Sequence, residues 1–252
     1  MIRVAVVGKG GSGKSLVAGT LARLAARRGH HVLALDSDLM PGIAFTLGIE
    51  QPSTPPLLEA AERDENGRWR LKPGIGPYRA IQRYSTPAPD GIRLLQCGKV
   101  GAEGLPAIQP AVQAYYRVIH RLHQVTSLAS WSFVGDLPAG PRQVAYDWAP
   151  YARTFVLVVE PTWQSMLTAR RVARIATARS AARVLTVANK IKSPDDLDRI
   201  ESFLKTAAVA VVPVDAQVRA AERGGRAPVE HAAGSPAMLE IERLLNQLEE
   251  DG

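Results

Sequence analysis

The sequence predicts an α/β fold with a doubly wound, mainly parallel sheet of seven or eight strands and helices on both faces. Short runs rich in valine, isoleucine and leucine alternate along the chain with longer segments of helical periodicity. A glycine-rich loop joins the first such run to the first helical segment. Polar and acidic residues follow the ends of later runs, which is where sheets of this class bind their ligands.

The composition fits one domain, and we expect residues 1–252 to form it. The chain has 252 residues, 46% of them hydrophobic, and a formal net charge of +7, which permits nucleic acid or acidic partners. No run approaches the roughly 18 apolar residues of a membrane span. Met1 leads directly into a strand, so we expect no signal peptide, and the single cysteine excludes an internal disulfide framework. We therefore expect a cytoplasmic protein with no membrane partner.

The first strand is predicted at Ile2–Val7 and leads into the loop Gly8-Lys9-Gly10-Gly11-Ser12-Gly13-Lys14-Ser15. This loop matches the phosphate-binding pattern Gly-x-x-x-x-Gly-Lys-Ser, and a helix is predicted from Leu16 to about Arg28. The glycines let the backbone N–H groups turn toward phosphate oxygens, and the helix N-terminus adds partial positive charge. We expect Lys14 to reach the β- and γ-phosphates and Ser15 to bind Mg²⁺. The alternative is a glycine-rich turn without a ligand.

The second strand is predicted at His31–Leu35 and is followed by Asp36-Ser37-Asp38. Carboxylates just beyond a buried strand that neighbours a phosphate loop can hold Mg²⁺-bound water and orient an attacking water. The alternative for each aspartate is a helix cap or turn former. A short helix is predicted at Ala44–Gly48.

Between about residues 50 and 90 the composition changes, because seven of the 18 prolines fall there. Arg68–Leu71 is expected to contribute a short hairpin arm. The stretch has too few apolar residues for a core of its own, so we interpret it as a Pro/Gly-rich elaboration of the sheet. Such loops often carry partner specificity.

The third strand is predicted at Gly91–Gln96 and the next helix from about Ala111 to Gln124. The fourth strand, Trp131–Asp136, leads into Leu137-Pro138-Ala139-Gly140. A carboxylate at this strand end can hold a Mg²⁺-bound water, and Gly140 can donate its backbone N–H to the γ-phosphate. An ordinary strand-end turn is the alternative.

The fifth strand is predicted at Thr154–Glu160, followed by a helix to about Ser180. This helix carries a basic face opposite an apolar stripe. The basic face is formed by Arg170, Arg171, Arg174 and Arg179. A solvated amphipathic helix that covers the sheet is favoured over a DNA-binding face.

The sixth strand, Val184–Ala188, is followed by Asn189-Lys190, and the last strand, Val209–Val212, by Pro213-Val214-Asp215. An asparagine amide beside a nucleotide pocket can pair with the adenine edge, because it offers a donor and an acceptor. A cap or turn is the alternative. The C-terminal helix, about Met238–Leu248, has an acidic end, which argues against a basic membrane anchor.

Taken in order, the motifs Lys9–Ser15, Asp36–Asp38, Asp136–Gly140 and Asn189-Lys190 resemble those of the MinD/ParA family. These are P-loop NTPases of the SIMIBI type with a deviant Walker A motif. The resemblance implies slow, Mg²⁺-dependent hydrolysis of ATP to ADP by a homodimer that closes face to face on two ATP molecules.

The resemblance also implies a role for individual residues. Lys9 would reach the nucleotide of the partner subunit, and Asp38 would orient the hydrolytic water. Asp36 and Asp136 would support the metal. Asn189 would read the adenine base, and the nucleotide site would be completed by Lys190, Pro213 and Asp215.

Within the family, the tract from Ile92 to Gly104 resembles the CooC-type accessory ATPases of carbon monoxide dehydrogenase. That branch carries a Cys-x-Cys pair shortly after a Glu-Gly, whereas here Glu103-Gly104 is followed by Leu105-Pro106-Ala107. The resemblance implies a client protein, such as a metalloenzyme under maturation, without the metal-binding cysteines. The alternatives are a ParA-like partition ATPase that binds DNA, and a nucleotide-binding module without hydrolysis.

Overall fold

The computed structural model describes residues 1–179 and 182–250 of the chain. In these residues the strands are β1 (Arg3–Gly8), β2 (Val32–Asp36), β3 (Ala61–Arg63), β4 (Trp69–Leu71), β5 (Thr86–Pro87), β6 (Arg93–Gln96), β7 (Ser132–Asp136), β8 (Thr154–Val159), β9 (Arg183–Ile191) and β10 (Ala210–Pro213). The helices are α1 (Lys14–Arg27), α2 (Ile43–Leu47), α3 (Pro77–Tyr84), α4 (Leu105–Ile119), α5 (Arg142–Ala145), α6 (Trp163–Arg179), α7 (Pro194–Leu204), α8 (Ala216–Arg223), α9 (Pro228–His231) and α10 (Pro236–Glu250).

Across the described ranges, eight strands form one sheet in the order β10-β9-β8-β1-β7-β2-β6-β5. Every neighbouring pair is parallel except β5 with β6, which is antiparallel. The predicted doubly wound, mainly parallel sheet is therefore confirmed. Because the strands run in one direction, the loops that follow β1, β2, β7, β8, β9 and β10 meet at a single edge.

The central strand β1 is buried on both faces from Val4 to Val7, as the apolar sequence of these four residues predicts. Val4 and Val6 pack on one face in a cluster with residues of α1 and α10. Ala5 and Val7 pack on the other face in a cluster with residues of α4 and α6. Successive side chains of a strand point to opposite faces, so one short segment contributes to both halves of the core and fixes the position of the loop after it.

The elaboration is more ordered than its composition suggests. β3 and β4 form an antiparallel hairpin, the predicted arm, and α3 was not predicted at all. Leu57, Ala60, Ala80 and Ile81 are buried in the cluster that contains Tyr115 of α4. The apolar residues of this stretch are thus used against the sheet-covering helix and do not need a core of their own.

Two elements, α4 and β9, differ from their predicted boundaries. α4 begins at Leu105 and not at Ala111, and it ends at Ile119, with a separate 3-10 turn covering 122–124. Pro106 lies in the first turn, where its missing N–H costs nothing, and the helix tolerates Pro110 at the loss of one backbone hydrogen bond. β9 also continues past Ala188 to Ile191, with Lys190 in a left-handed conformation (φ 60°).

The helix after β8 was predicted to end near Ser180, which lies outside the described residues; α6 itself is described to Arg179. In the described part of the chain, no helix combines the length and the apolar character needed to cross a bilayer.

Candidate functional site

A cavity of about 520 Å³ opens at the edge of the sheet where the carboxyl ends of the strands meet. Its lining combines the glycine-rich loop, the start of α1, helix α2 and the ends of β9 and β10. The predicted site residues in this lining are Gly11, Gly13, Lys14, Ser15, Asn189, Lys190, Pro213 and Asp215. The structure therefore brings together residues that are about 200 positions apart in the sequence.

The glycine-rich loop wraps closely against its neighbours. A Cβ atom on Gly13 would lie 2.2 Å from Asn189 Nδ2, and the residue has a left-handed φ of 96°, so only glycine fits. Lys14 is buried and its ammonium group donates to the carbonyl of Lys9. The hydroxyl of Ser12 is buried and, among the described residues, has no hydrogen-bond partner. An unpartnered hydroxyl inside a loop of this type suits a polar ligand such as a phosphate.

Ser15 and Asp136 meet at the start of α1. The Ser15 hydroxyl donates to Asp136 Oδ2 at 2.5 Å, while Asp136 Oδ1 is buried and, in the described part of the chain, unpartnered. Burial raises the pKa of Asp136 to about 6, although the hydrogen bond from Ser15 and the charge of Lys14 oppose the shift. A hydroxyl beside a carboxylate with a free oxygen fits Mg²⁺, a hard cation that prefers oxygen ligands.

Asp36 lies beside Asp136 in the register of β2 and β7. Its carboxylate accepts the backbone N–H of Asp38 at 3.0 Å and that of Ile43 at 3.4 Å. Burial, and next the charge of Asp136, raise the pKa of Asp36 well above its usual range. Asp36 therefore shapes the loop between β2 and α2, and its predicted support of the metal stays a prediction.

Asp38 lies in that loop and is half-buried. Its Oδ1 accepts the backbone N–H of Met40 at 2.9 Å, which is the turn-forming geometry that we gave as the alternative. The other carboxylate oxygen is not used in this turn, so the predicted orientation of a water molecule stays a prediction.

Lys9 and Lys190 share one carboxylate that sequence reasoning did not single out. Lys9 Nζ lies 3.3 Å from Glu160 Oε1, and Lys190 Nζ lies 3.2 Å from Glu160 Oε2. Burial alone would raise the pKa of Glu160, but the two lysines lower it below its ordinary value. Lys190 also donates to the carbonyl of Gly11. Its position in the sequence could have identified Glu160, because it directly follows β8, the strand that pairs with β1.

The amide of Asn189 contacts the glycine-rich loop. Its Nδ2 donates to the carbonyl of Ser12 at 2.7 Å, and its Oδ1 accepts the backbone N–H of Lys190 at 2.9 Å. The N–H of Gly140 donates to the carbonyl of Gly8 at 3.1 Å. Both groups lie at the loop where they were expected, and their predicted contacts with the base and the γ-phosphate stay predictions.

Pro213 ends β10, and Asp215 caps the helix that follows. The Asp215 carboxylate accepts N–H groups of Gln217 at 2.8 Å and Ala237 at 3.1 Å. Burial alone would raise the pKa of Asp215, but these hydrogen bonds lower it. The Asp215 side chain is thus used inside the protein, and the predicted contribution of Pro213 and Asp215 to the nucleotide site stays a prediction.

The other side chains that could bind a transition metal are not brought together in the described part of the chain. Among the described residues, no group of three or more His, Cys, Asp or Glu side chains is placed to hold a metal ion. Cys97 is buried and contacts the carbonyl of Asp38, and burial raises the pKa of its thiol, which keeps it protonated. On α6, the Arg170 guanidinium lies 4.4 Å from the centre of the Phe203 ring, so part of the predicted basic face packs on the protein itself.

A phosphate-binding loop between β1 and α1, with an adjacent serine–aspartate pair, defines a nucleotide-binding protein of the P-loop class. The chain belongs to the CobQ/CobB/MinD/ParA nucleotide binding domain family, whose model matches residues 4–229. The predicted MinD/ParA-type resemblance is thereby confirmed.

Individual proteins that resemble the chain support the same family assignment. The chain is 27% identical over 264 residues to an uncharacterized ATP-binding protein of Methanocaldococcus jannaschii, covering 98% of this chain and 97% of that one. It is 28% identical over 239 residues to the carbon monoxide dehydrogenase accessory protein CooC of Rhodospirillum rubrum, covering 89% and 88%. The cell division ATPase MinD of Pyrococcus furiosus shares the fold, with a TM-score of 0.73, 21% identity and full coverage of both chains.

Proposed function

We propose that the protein is an ATP-dependent switch that binds ATP with Mg²⁺, hydrolyses it slowly as a homodimer, and assists the maturation or assembly of a client protein. The observation that carries the proposal is the meeting of Lys14, Ser15 and Asp136 at the edge of the sheet, with a buried Asp136 oxygen left unpartnered among the described residues. The similarity to a CooC protein supports a metalloenzyme as the client.

The residues at the edge suit transfer of a phosphoryl group to water. Backbone N–H groups of the loop and the ammonium group of Lys14 would hold the phosphates. Ser15 and Asp136 would hold Mg²⁺, which neutralises charge that develops on the phosphate oxygens. Asp38 would orient the attacking water, and Gly140 would move its N–H from Gly8 to the γ-phosphate. The protein would form no covalent bond to the substrate, because positioning of the reactants and stabilisation of charge supply most of the rate enhancement in phosphoryl transfer.

Exposed apolar side chains support a second copy at this edge. Met40 is 86% exposed and Trp163 is 62% exposed, and Tyr146 and Leu105 are also exposed. Each follows the carboxyl end of a strand by ten residues or fewer, so all four lie toward the edge that holds the cavity. Large apolar groups exposed together mark interaction sites. A dimer closed over this edge would cover them and bring Lys9 to the partner's nucleotide.

The proposal is tested by measuring phosphate release and oligomeric state together. We expect Lys14→Ala to lose ATP binding. Lys9→Ala is expected to bind ATP as a monomer and release no phosphate above background. Lys192→Ala, which removes an exposed lysine near the site, should match the wild type. Phosphate release by Lys9→Ala at the wild-type rate would contradict dimer-dependent hydrolysis.

The client is tested with Asp38→Ala, expected to bind ATP without hydrolysing it and to hold the closed dimer. The variant is recovered from its native cells with Mg·ATP, and what accompanies it is identified by mass spectrometry. A stoichiometric metalloenzyme or its assembly factors support the maturation role.

A ParA-like partition ATPase is the second candidate. The observation that favours it is the exposed pair Arg171 and Arg174 on α6. It predicts salt-sensitive, ATP-dependent DNA binding that Arg171→Glu with Arg174→Glu abolishes. Recovery of DNA and a partition adaptor with Asp38→Ala would support this candidate over maturation.

A further inference from the structure

Two clefts away from the nucleotide cavity are lined by cations and, as far as the described residues show, by no carboxylate. The first, about 520 Å³, lies beside α3 and is lined by polar residues that include Lys72, Arg79, Gln82, Arg83 and Tyr84. The second, about 260 Å³, lies on the last turns of α4 and is lined by Gln113, Tyr116, Arg117, His120 and Arg121. The first cleft belongs to the Pro/Gly-rich elaboration, and the second to α4, the helix against which that elaboration packs.

The cations of each cleft lie close together along the chain. Arg79 and Arg83 are four residues apart on α3, where like charges at this spacing repel each other. Arg117 lies in the last turn of α4, and Arg121 lies two residues past the end of that helix. Ion pairs found elsewhere in the described residues join carboxylates to Arg23, Arg27, Arg28 and Arg70, but none involves the arginines of the two clefts. Their positive charge is therefore available to a ligand.

The two clefts open at opposite ends of one short strand. Lys72 directly follows β4, and at the other end Arg117 Nε donates to the carbonyl of Trp69 at 3.1 Å. Three residues of strand span about 10 Å. One extended ligand can therefore reach both clefts along the hairpin.

We propose that the two clefts form one docking site for an acidic segment of a partner protein. The inference rests on the proposed function, since a client has to bind somewhere while the nucleotide cavity is filled. Tyr116 joins the second cleft to the segment that connects the nucleotide edge with β8, because its ring lies 5.2 Å from that of Trp148.

The charges of the hairpin favour a polypeptide over a nucleic acid. The hairpin between the clefts carries no net charge, because Glu62, Asp64 and Glu65 balance Arg63, Arg68 and Arg70. A nucleic acid strand carries a charge about every 3.4 Å, so its phosphates between the clefts would meet a surface without net positive charge. A polypeptide can present carboxylates at the two clefts and uncharged residues between them.

The docking site is tested on the full chain with a fluorescein-labelled peptide of glutamate and glycine, followed by anisotropy at low ionic strength. The variant Arg83→Glu/Arg121→Glu changes one residue in each cleft and leaves the hydrogen bonds of Arg79 and Arg117 intact. The control Arg199→Glu/Arg223→Glu changes the net charge by the same amount at exposed positions of α7 and α8 that line neither cleft nor the nucleotide cavity. ATP binding is measured in every variant.

We expect the peptide to bind the wild type and the control alike and to lose about tenfold in affinity with the cleft variant, while ATP binding is unchanged. The milder Arg83→Gln/Arg121→Gln should lose a smaller factor and guards against misfolding of the charge-reversed chain. Equal loss in the control, or no peptide binding to the wild type, would overturn the proposal. So would a single-stranded DNA that binds the clefts more tightly than the peptide. Failure of the wild type to bind ATP would instead contradict the proposed function.

Discussion

The ammonium group of Lys9 lies 3.3 Å from Glu160 Oε1 within a single chain. Lys9 is the residue that a closed dimer would need on the partner's nucleotide, so the ion pair has to break when that dimer forms. The same carboxylate binds Lys190, which contacts the loop through the carbonyl of Gly11. Glu160 therefore holds Lys9 on its own chain in this structure.

Glu160→Gln should strengthen the ATP-dependent dimer, because it releases Lys9 without changing the shape of the side chain. Partly exposed ion pairs contribute about 0.2–1 kcal/mol, so we expect the dimer association constant to rise about 1.4- to fivefold for each of the two Lys9–Glu160 pairs that a dimer would break. Sedimentation analysis with a non-hydrolysable ATP analogue measures it. Glu65→Gln, on the hairpin turn, is the control, and a weaker dimer in Glu160→Gln would show that Glu160 instead guides Lys9 to the partner.

Asp136→Asn should stabilise the nucleotide-free protein at neutral pH. Burial raises the pKa of Asp136 to about 6, above the value of about 3.9 expected in the unfolded chain. The folded state therefore holds the proton more tightly, and the stability of the wild type falls as the pH rises from about 4 to about 6. Asparagine removes this loss, so we expect a gain on the order of 2 kcal/mol above pH 6 that disappears toward pH 4.

Thermal unfolding of wild type and Asp136→Asn across this pH range, without Mg²⁺, measures the gain. Asp147→Asn removes an exposed carboxylate and should show no such profile. Mg·ADP should then stabilise the wild type by mass action and the variant far less. A pH-independent difference between wild type and Asp136→Asn would contradict the assignment.

Gly13→Ala should abolish nucleotide binding and destabilise the fold. The added methyl meets Asn189 Nδ2 at 2.2 Å, and φ is 96°; the left-handed backbone alone costs about 1–2 kcal/mol. Gly29→Ala is the matched control, because Gly29 has φ 89° and nothing within 4 Å of the added atom. Urea unfolding should show a larger loss at position 13 than at position 29, and equal losses would mean that the contact with Asn189 relaxes freely.

Arg23→Met should cost about 2–3 kcal/mol of stability, less than the loss of a partner in a wholly buried ion pair, because Asp90 and Glu230 are 25% and 40% exposed. The Arg23 guanidinium is 2% exposed and binds Asp90, Glu230 and the carbonyl of Leu47 at the end of α2. Arg28→Met is the control, since Arg28 also binds two carboxylates but is 30% exposed, and its loss should stay below about 1 kcal/mol. Urea denaturation of the two variants tests this, and similar losses would contradict the role of burial.

The sequence predicted those parts of the molecule that depend on local pattern. The phosphate loop, the buried strands and the carboxylates at their ends all follow from runs of a few residues, and the parallel sheet then brings Ser15 and Asp136 together. Helix α3 and the start of α4 at Leu105 were missed because tertiary packing outweighs the prolines nearby.

The contacts inside the site were harder to predict, because they join residues far apart in the chain. Lys9 and Glu160 are separated by 151 positions, and Ser12 and Asn189 by 177. A single sequence marks each residue as a charged or amide side chain near a strand end. It does not say which partner each one takes, since that choice depends on the register of three neighbouring strands.

Asn189 has one further consequence for selectivity. The amide that we expect to recognise adenine already donates a hydrogen bond to the carbonyl of Ser12 in the phosphate loop. If the amide turns toward a base, the loop loses that hydrogen bond. Recognition of the base and of the phosphates would then depend on the same side chain and be energetically linked. Binding of a different purine would then alter both the strength of phosphate binding and the rate of turnover. A substitution at Asn189 that changes the base preference would therefore also change the rate of nucleotide turnover.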